Sequence, residues 1–165
     1  MQTLFSFPNP VNEKAARVVA GTVFVLSIAT LASGVYWLLV VLAYGFIARV
    51  LTGPTLSPLG AVATSVIAPR LGPAKPVAGP PKRFAQGIGA VLTTAAALIA
   101  LVGHDHPIAI VLLALMIVAS GLESIFALCI GCQLFAVLMR FGFIPASVCA
   151  ECANLSLRAE RARAG

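Results

Sequence analysis

Four long apolar stretches divide this chain, and each predicts a membrane-spanning helix. A helix needs about 20 mostly apolar residues to cross a bilayer. The stretches run over about residues 16–33, 35–51 and 84–102, and onward from about Pro107. This pattern predicts an all-α, polytopic membrane protein with four transmembrane helices.

The fourth stretch is too long for one straight span. It continues to Met139, interrupted only by the charge of Glu123. These are about 33 residues, or roughly 50 Å of helix, against a hydrocarbon core about 30 Å thick. The segment must tilt, break or leave the membrane, and Gly121 and Gly131 are the predicted break points.

The segment between the second and third stretches predicts a short helix on the membrane surface. In SPLGAVATSVIAPRLG, Ser57 can cap the helix and Pro58 suits its first turn. An amphipathic stripe follows at helical spacing: Leu59, Val62, Ala63, Val66 and Ile67. The proline-rich GPAKPVAGPPK that comes next predicts an extended connector.

Composition and charge agree with a membrane protein and set its orientation. The chain is 60% hydrophobic and only 10% charged, whereas soluble domains carry about 25% charged residues. All basic residues fall on one side of a four-span arrangement, which predicts cytoplasmic termini and a cytoplasmic middle loop. They are Lys14, Arg17, Arg49, Arg70, Lys75, Lys82, Arg83, Arg140, Arg158, Arg161 and Arg163. Without basic stretches interleaved with aromatic residues, nucleic-acid binding is not expected.

The third stretch carries a ridge of small residues. Gly89, Thr93 and Ala97 are spaced four apart, which lets another helix approach closely. We expect packing within the chain, with a homo-oligomer seam as the alternative.

All four cysteines lie near the end of the chain, in two Cys-x-x-Cys pairs. Cys129 and Cys132 are followed, after sixteen residues, by Cys149 and Cys152. The cytosol disfavours structural disulfides. The spacing fits a four-thiolate zinc site or an iron–sulfur cluster. It also fits redox dithiols, and inert packing is the third interpretation.

In the redox interpretation, Cys129 attacks a sulfur of a partner and Cys132 resolves the intermediate. Residues three apart share a helical face, so both pairs are predicted to be helical. SVCAECANLSLRAERAR, beginning at Ser147, predicts a cytoplasmic tail helix. The chain therefore divides into a membrane domain, residues 1–140, and a tail, residues 141–165.

Glu123 is the acid inside the apolar stretches, so it is a weak catalytic candidate. It could carry protons, hold a basic partner such as Arg49, or snorkel to the inner interface. If the helix is continuous, Glu123 faces away from Cys132 and is a poor base for the cysteines.

Six further polar positions have mainly structural interpretations. His104, Asp105 and His106 could hold a metal, although Asp105 is a natural helix cap before Pro107. Asn9 and Asn12 can cap the first helix. Asn12 and Gln86 remain weak site candidates.

Three stretches together resemble a bacterial membrane family known as domain of unknown function 4395. They are VNEKAARVVAG, PPKRFAQGIGAV and ALCIGCQLF, and the resemblance covers about residues 8–140. Its most specific elements are the Cys-x-Gly-Cys at 129–132, followed by Phe135, and the Arg-Phe-Ala-Gln at 83–86.

The resemblance implies a multi-pass protein of the bacterial inner membrane. It also implies thiol or sulfur chemistry with a thioredoxin-like or rhodanese-like partner. Two functions follow as expectations: a membrane-bound dithiol in thiol–disulfide exchange or sulfur relay, or a four-cysteine zinc or iron–sulfur scaffold.

Overall fold

The computed structural model describes residues 7–153, and these form a helical bundle with one small two-stranded sheet. The strands are β1 (Val11–Asn12) and β2 (Pro76–Val77). The helices are α1 (Glu13–Ser33), α2 (Leu38–Thr52), α3 (Pro58–Val62), α4 (Ala68–Arg70), α5 (Gly79–Leu101), α6 (His106–Phe126), α7 (Ile130–Arg140) and α8 (Ala150–Ala153). A π-helical turn, Ala63–Ile67, joins α3 to α4, and a 3-10 turn, Ala146–Val148, precedes α8.

The four longest helices alternate in direction. At one end of the bundle, Tyr36 in the α1–α2 turn stacks on His106 at the start of α6, with 4.7 Å between ring centroids. At the other end, Asn9 ahead of α1 accepts a hydrogen bond from the backbone of Gly79, the first residue of α5. α1 packs on α6, and α5 packs on both α2 and α6.

Three of these helices, α1, α5 and α6, are long and apolar enough to cross a membrane. The second predicted span is the shorter apolar helix α2, with 15 residues. At 1.5 Å per residue it is about 22 Å long, which is less than the thickness of a hydrocarbon core.

The fourth apolar stretch breaks, but at neither predicted glycine. α6 ends at Phe126, Ala127 adopts a left-handed conformation with φ 57°, and α7 begins at Ile130. Gly121 and Gly131 stay inside helices because each is in tight contact with a neighbouring helix, at Phe24 and Ala85 respectively.

Hydrogen bonds from α1 stabilise the broken end of α6. The last carbonyls of a helix lack partners within it. The Arg17 guanidinium donates to the carbonyl of Ser124 at 3.0 and 3.1 Å and to that of Ile125 at 3.1 Å. Arg17 therefore has a structural role beyond its contribution to orientation.

The helix predicted between the second and third apolar stretches forms, although its buried face differs. Ser57 accepts a hydrogen bond from the backbone of Gly60 and caps α3, as expected. The wider π-helical turn shifts the helical phase, so Ala63 and Ala68 are buried while Val62 and Val66 are exposed.

The proline-rich connector is anchored to the start of the chain, and its last residues are helical. β2 pairs antiparallel with β1, with Val11 opposite Val77. α5 begins at Gly79 rather than near Phe84, because prolines are tolerated in the first turn of a helix, where no internal N–H partner is required.

The ridge of small residues packs within the chain, as expected. A Cβ on Gly89 would collide with the ring of Phe46 on α2. Thr93 and Ala97 are buried on the same side of α5. The ridge therefore forms part of the contact between α2 and α5.

Candidate functional site

The first cysteine pair lies at the amino end of α7, directly after the helix break. Cys129 is the cap residue in an extended conformation, and its sulfur accepts a hydrogen bond from the backbone N–H of Cys132 at 3.3 Å. The two Cα atoms are 5.2 Å apart, and the two sulfurs are close enough to form a disulfide. The prediction that both cysteines are helical is wrong for Cys129, because the non-helical break includes it and α7 begins only at Ile130.

The two cysteines differ in exposure. Cys129, at the amino terminus of α7, is 7% exposed, and Cys132 is half-buried. The pair therefore combines a buried cysteine with a more accessible one.

The Cys-x-Gly-Cys and Arg-Phe-Ala-Gln stretches meet at this site. A Cβ on Gly131 would lie only 2.5 Å from the Cβ of Ala85, so the first turn of α7 rests directly on α5. Beside this contact, the rings of Phe84 and Phe135 meet edge to face, with centroids 5.6 Å apart. The Arg-Phe-Ala-Gln motif thus forms the surface on which the Cys-x-Gly-Cys turn is seated.

An open cleft of about 430 Å³ lies beside the contact between Phe84 and Phe135, and neither Cys129 nor Cys132 lines it. Phe135, which lines it, is one helical turn beyond Cys132. The aromatic and polar lining includes Phe7, Asn9, Arg83, Phe84 and Phe135, and Val148 of the tail completes it.

Glu123 has a basic partner, but it is Lys82 rather than Arg49. The Lys82 Nζ donates to Glu123 Oε1 at 2.6 Å, and the side chains are only 10% and 16% exposed. Arg49 instead donates to Gln86 at 2.8 Å and to Ser57 at 3.3 Å. Two cations are therefore ion-paired or hydrogen-bonded near the start of α5.

Lys82 is the residue that sequence reasoning missed. It lies in the proline-rich segment read as an extended connector, whereas the structure places it in the first turn of α5 and buries it. The spacing could have indicated that Lys82 is part of the site, because Lys82 and Ala85 are three apart and share a helical face. The Lys82–Glu123 pair therefore lies on the side of α5 that receives Gly131.

Within the second cysteine pair, the two residues are arranged as in the first pair. The sulfurs of Cys149 and Cys152 are close enough to form a disulfide, and Cys149 is 5% exposed. Cys149 separates the 3-10 turn from α8, so it is not part of the tail helix predicted from Ser147. The remainder of that predicted helix, from residue 154, lies outside the described residues.

The structure brings the cysteines together as two separate pairs. Across residues 7–153, no group of three or more His, Cys, Asp or Glu side chains could hold a metal ion. The zinc or iron–sulfur site formed by Cys129, Cys132, Cys149 and Cys152 remains a prediction from spacing, with no supporting geometry.

The other polar candidates have structural contacts. Asp105 caps α6 by accepting from the backbone of Ile108 at 3.3 Å. Asn12 caps α1 by accepting from Lys14 at 3.0 Å. Asn9 does not cap α1, because its side chain accepts at 3.0 Å from Gly79 at the start of α5.

The comparison with protein families is decisive at this point. The model of the family described as "Domain of unknown function (DUF4395)" matches residues 11–140. The chain belongs to this family. The matched region includes Cys129, Cys132 and the Arg-Phe-Ala-Gln motif, and it ends before Cys149 and Cys152. No curated protein and no solved structure matches the chain significantly.

Proposed function

We propose that this DUF4395 protein is a membrane-bound dithiol that exchanges disulfides, or relays sulfur, with a soluble protein. The observation that carries the proposal is the position of Cys129 as the cap of α7, with Cys132 one turn further on. Buried structural cysteines need no helix amino terminus, whereas a reactive thiolate is stabilised by one.

The exchange uses both sulfurs in turn. The Cys129 thiolate attacks one sulfur of a partner disulfide, which forms a mixed disulfide and releases one partner thiolate. The Cys132 thiolate then attacks the Cys129 sulfur and releases the second. Two electrons pass to the partner, whose thiolates take up the two protons lost here, and the reaction also runs in reverse.

A thioredoxin-like or rhodanese-like protein is the proposed partner, and the cytoplasm is the proposed side. Four membrane crossings in the bacterial inner membrane, with both termini inside, place the pair at the cytoplasmic boundary. The alternating helix directions and the clustering of basic residues support this arrangement.

The decisive experiment is to trap the mixed disulfide. Cys132→Ser removes the resolving thiol, so we expect it to accumulate a disulfide-linked complex through Cys129 with a thioredoxin-like protein. The complex should disappear on reduction, and mass spectrometry of the linked peptides should identify Cys129. The matched control is Cys152→Ser, which removes the corresponding cysteine of the tail pair and should trap nothing through Cys129.

Two results would contradict the proposal. If neither Cys132→Ser nor Cys129→Ser traps more partner than the wild type, the pair is not an exchange site. If Cys129→Ser traps the partner and Cys132→Ser does not, the exchange stands but the roles of the two cysteines are reversed.

A further inference from the structure

A cavity of about 70 Å³ lies inside the bundle and is lined by residues of α1, α2, α5 and α6. Much of its lining is apolar and includes Phe46 and Met116. Three polar side chains also line it: Gln86, Ser120 and Glu123. Because Glu123 is in the last turn of α6, the polar part of the cavity lies close to an end of the bundle.

The orientation of the Gln86 amide is fixed by its neighbour. The Arg49 guanidinium has only donors, so the Gln86 Oε1 must face it, and this oxygen accepts from Arg49 Nε at 2.8 Å. The amide nitrogen of Gln86 therefore faces away from Arg49. Among residues 7–153 no hydrogen bond uses its N–H groups, so they are available as donors to a ligand.

Ser120 and Glu123 provide acceptors. The Ser120 hydroxyl donates to the carbonyl of Met116 at 2.6 Å, and its oxygen can still accept. Glu123 accepts from Lys82 through Oε1, and an ionised carboxylate has a second oxygen that also accepts. The cavity therefore has donors on α5 and acceptors on α6.

Charge and size decide which ligand fits the cavity. Lys82 already neutralises Glu123, and the N–H groups of Gln86 disfavour a cation, whereas the Glu123 carboxylate repels an anion. An apolar molecule would leave the polar groups without partners, which is costly. A small neutral molecule that both donates and accepts remains. A water molecule needs roughly 10–15 Å³ of such space, so a cavity of about 70 Å³ has room for several.

We propose that this cavity is an internal water site, in which bound water accepts from the Gln86 amide and donates to Ser120 and Glu123. Internal waters commonly make about three such hydrogen bonds. The water joins the Arg49–Gln86 contact to the Lys82–Glu123 ion pair, so one polar network crosses α2, α5 and α6. A buried network with every member satisfied makes a core more rigid.

The water site shares a residue of α5 with the surface that positions the dithiol. Ala85 lines the cavity, and its Cβ would lie 2.5 Å from a Cβ added at Gly131. The network therefore stabilises the part of α5 on which the first turn of α7 rests. The site requires no thiol chemistry, so its test is independent of the exchange reaction.

The test is hydroxyl-radical footprinting with a synchrotron X-ray beam, on the full chain in lipid nanodiscs. The radicals form from water and oxidise the side chains beside it, and mass spectrometry measures the oxidation of each methionine. We expect Met116 to be oxidised although it is only 5% exposed, because it lines the cavity. Met139 is half-buried outside the cavity and serves as the dose reference.

Three variants test where the oxidising water lies. Ala119→Val narrows the cavity, which Ala119 lines, and should lose the Met116 oxidation. The matched control is Ala114→Val, which places the same side chain at an exposed position of α6 outside the cavity and should retain the oxidation. The double variant Lys82→Met, Glu123→Leu removes the charged acceptor and should lose it. Thermal unfolding checks that each variant folds.

Three outcomes would overturn the proposal. If Met139 is oxidised in the wild type and Met116 is not, the cavity holds no water. Equal Met116 oxidation in Ala119→Val and Ala114→Val would show that the radicals do not come from cavity water. If the double variant keeps the wild-type oxidation, the water does not depend on Glu123. The first outcome needs only the wild-type protein, so it remains decisive if a variant does not fold.

Discussion

The most consequential single contact is the buried ion pair between Lys82 and Glu123. Its side chains are almost entirely enclosed, and the two atoms are 2.6 Å apart. A buried pair is not in itself strongly stabilising, but removing one partner leaves an uncompensated charge. Glu123 was identifiable from sequence as an acid in an apolar stretch. Its partner was not, because Lys82 is 41 residues away and comes close only when α5 packs on α6.

For single residues, we predict the effect of removing the carboxylate of Glu123. Glu123→Gln should lower the free energy of unfolding by about 3–5 kcal/mol, because Lys82 is then buried and unpaired. The double variant Lys82→Met, Glu123→Leu should recover much of the loss. Chemical denaturation in one fixed detergent measures both.

The control is the ion pair between Glu13 and the exposed Lys75. Lys75 is 66% exposed, so Lys75→Met should cost no more than about 1 kcal/mol. If the loss in the double variant equals the sum of the losses in Lys82→Met alone and Glu123→Leu alone, the two side chains are not coupled.

Among the elements, the contact between α5 and α7 positions the dithiol. α6 ends with Ala127 in a left-handed conformation, and α7 returns along α5 with Gly131 against Ala85. The length of the apolar stretch indicated a tilt, a break or an exit from the membrane, and the structure has a break. Its position depended on which glycines were needed for close packing, and that depends on residues far away in sequence.

We therefore predict that a single methyl group at Gly131 disturbs the site. Gly131→Ala forces its new Cβ against Ala85 and should destabilise the protein by about 1–3 kcal/mol, the usual cost of overpacking. It should also speed alkylation of Cys129 and Cys132, because the first turn of α7 is pushed away from α5. Thermal unfolding and timed alkylation with mass spectrometry measure these effects.

Gly87→Ala on α5 is the matched control. A Cβ there meets nothing within 4 Å, and alanine favours a helix over glycine by about 1 kcal/mol. The variant should be as stable as the wild type or more so, with unchanged alkylation. If Gly131→Ala and Gly87→Ala have the same stability and the same alkylation rates, the position of α7 does not depend on close contact with α5.

The whole molecule is a bundle whose four longest helices alternate in direction, although α2 is short for a span. The Tyr36–His106 contact brings two of the connections to one end. The anchored middle segment lies at the other end, beside the start of α1. If α2 crosses the membrane, these two ends face opposite compartments.

This arrangement predicts the accessibility of single cysteines introduced into a cysteine-free variant. In spheroplasts, a membrane-impermeant maleimide should label Trp37→Cys and His104→Cys, which lie at one end of the bundle. Arg70→Cys should be labelled only after the membrane is permeabilised. Labelling of Trp37→Cys and Arg70→Cys from the same side would contradict four crossings, and thermal unfolding checks that each variant folds.

The sequence by itself determined the features that depend on near neighbours. The length of the apolar stretches predicted the long helices. The side chains able to form local hydrogen bonds predicted the caps at Ser57, Asn12 and Asp105. The spacing of Cys129 and Cys132 marked the candidate site. These signals suffice because a helix, a cap and a Cys-x-x-Cys turn each involve residues within a few positions of one another.

Only the tertiary structure decided which distant segments meet. It paired Lys82 with Glu123, anchored the connector to β1 and seated the Cys-x-Gly-Cys turn on Ala85. It also formed the cleft from the chain start, α5, α7 and the tail. Such contacts depend on shape and burial once the helices have packed, and no local pattern in the chain specifies them.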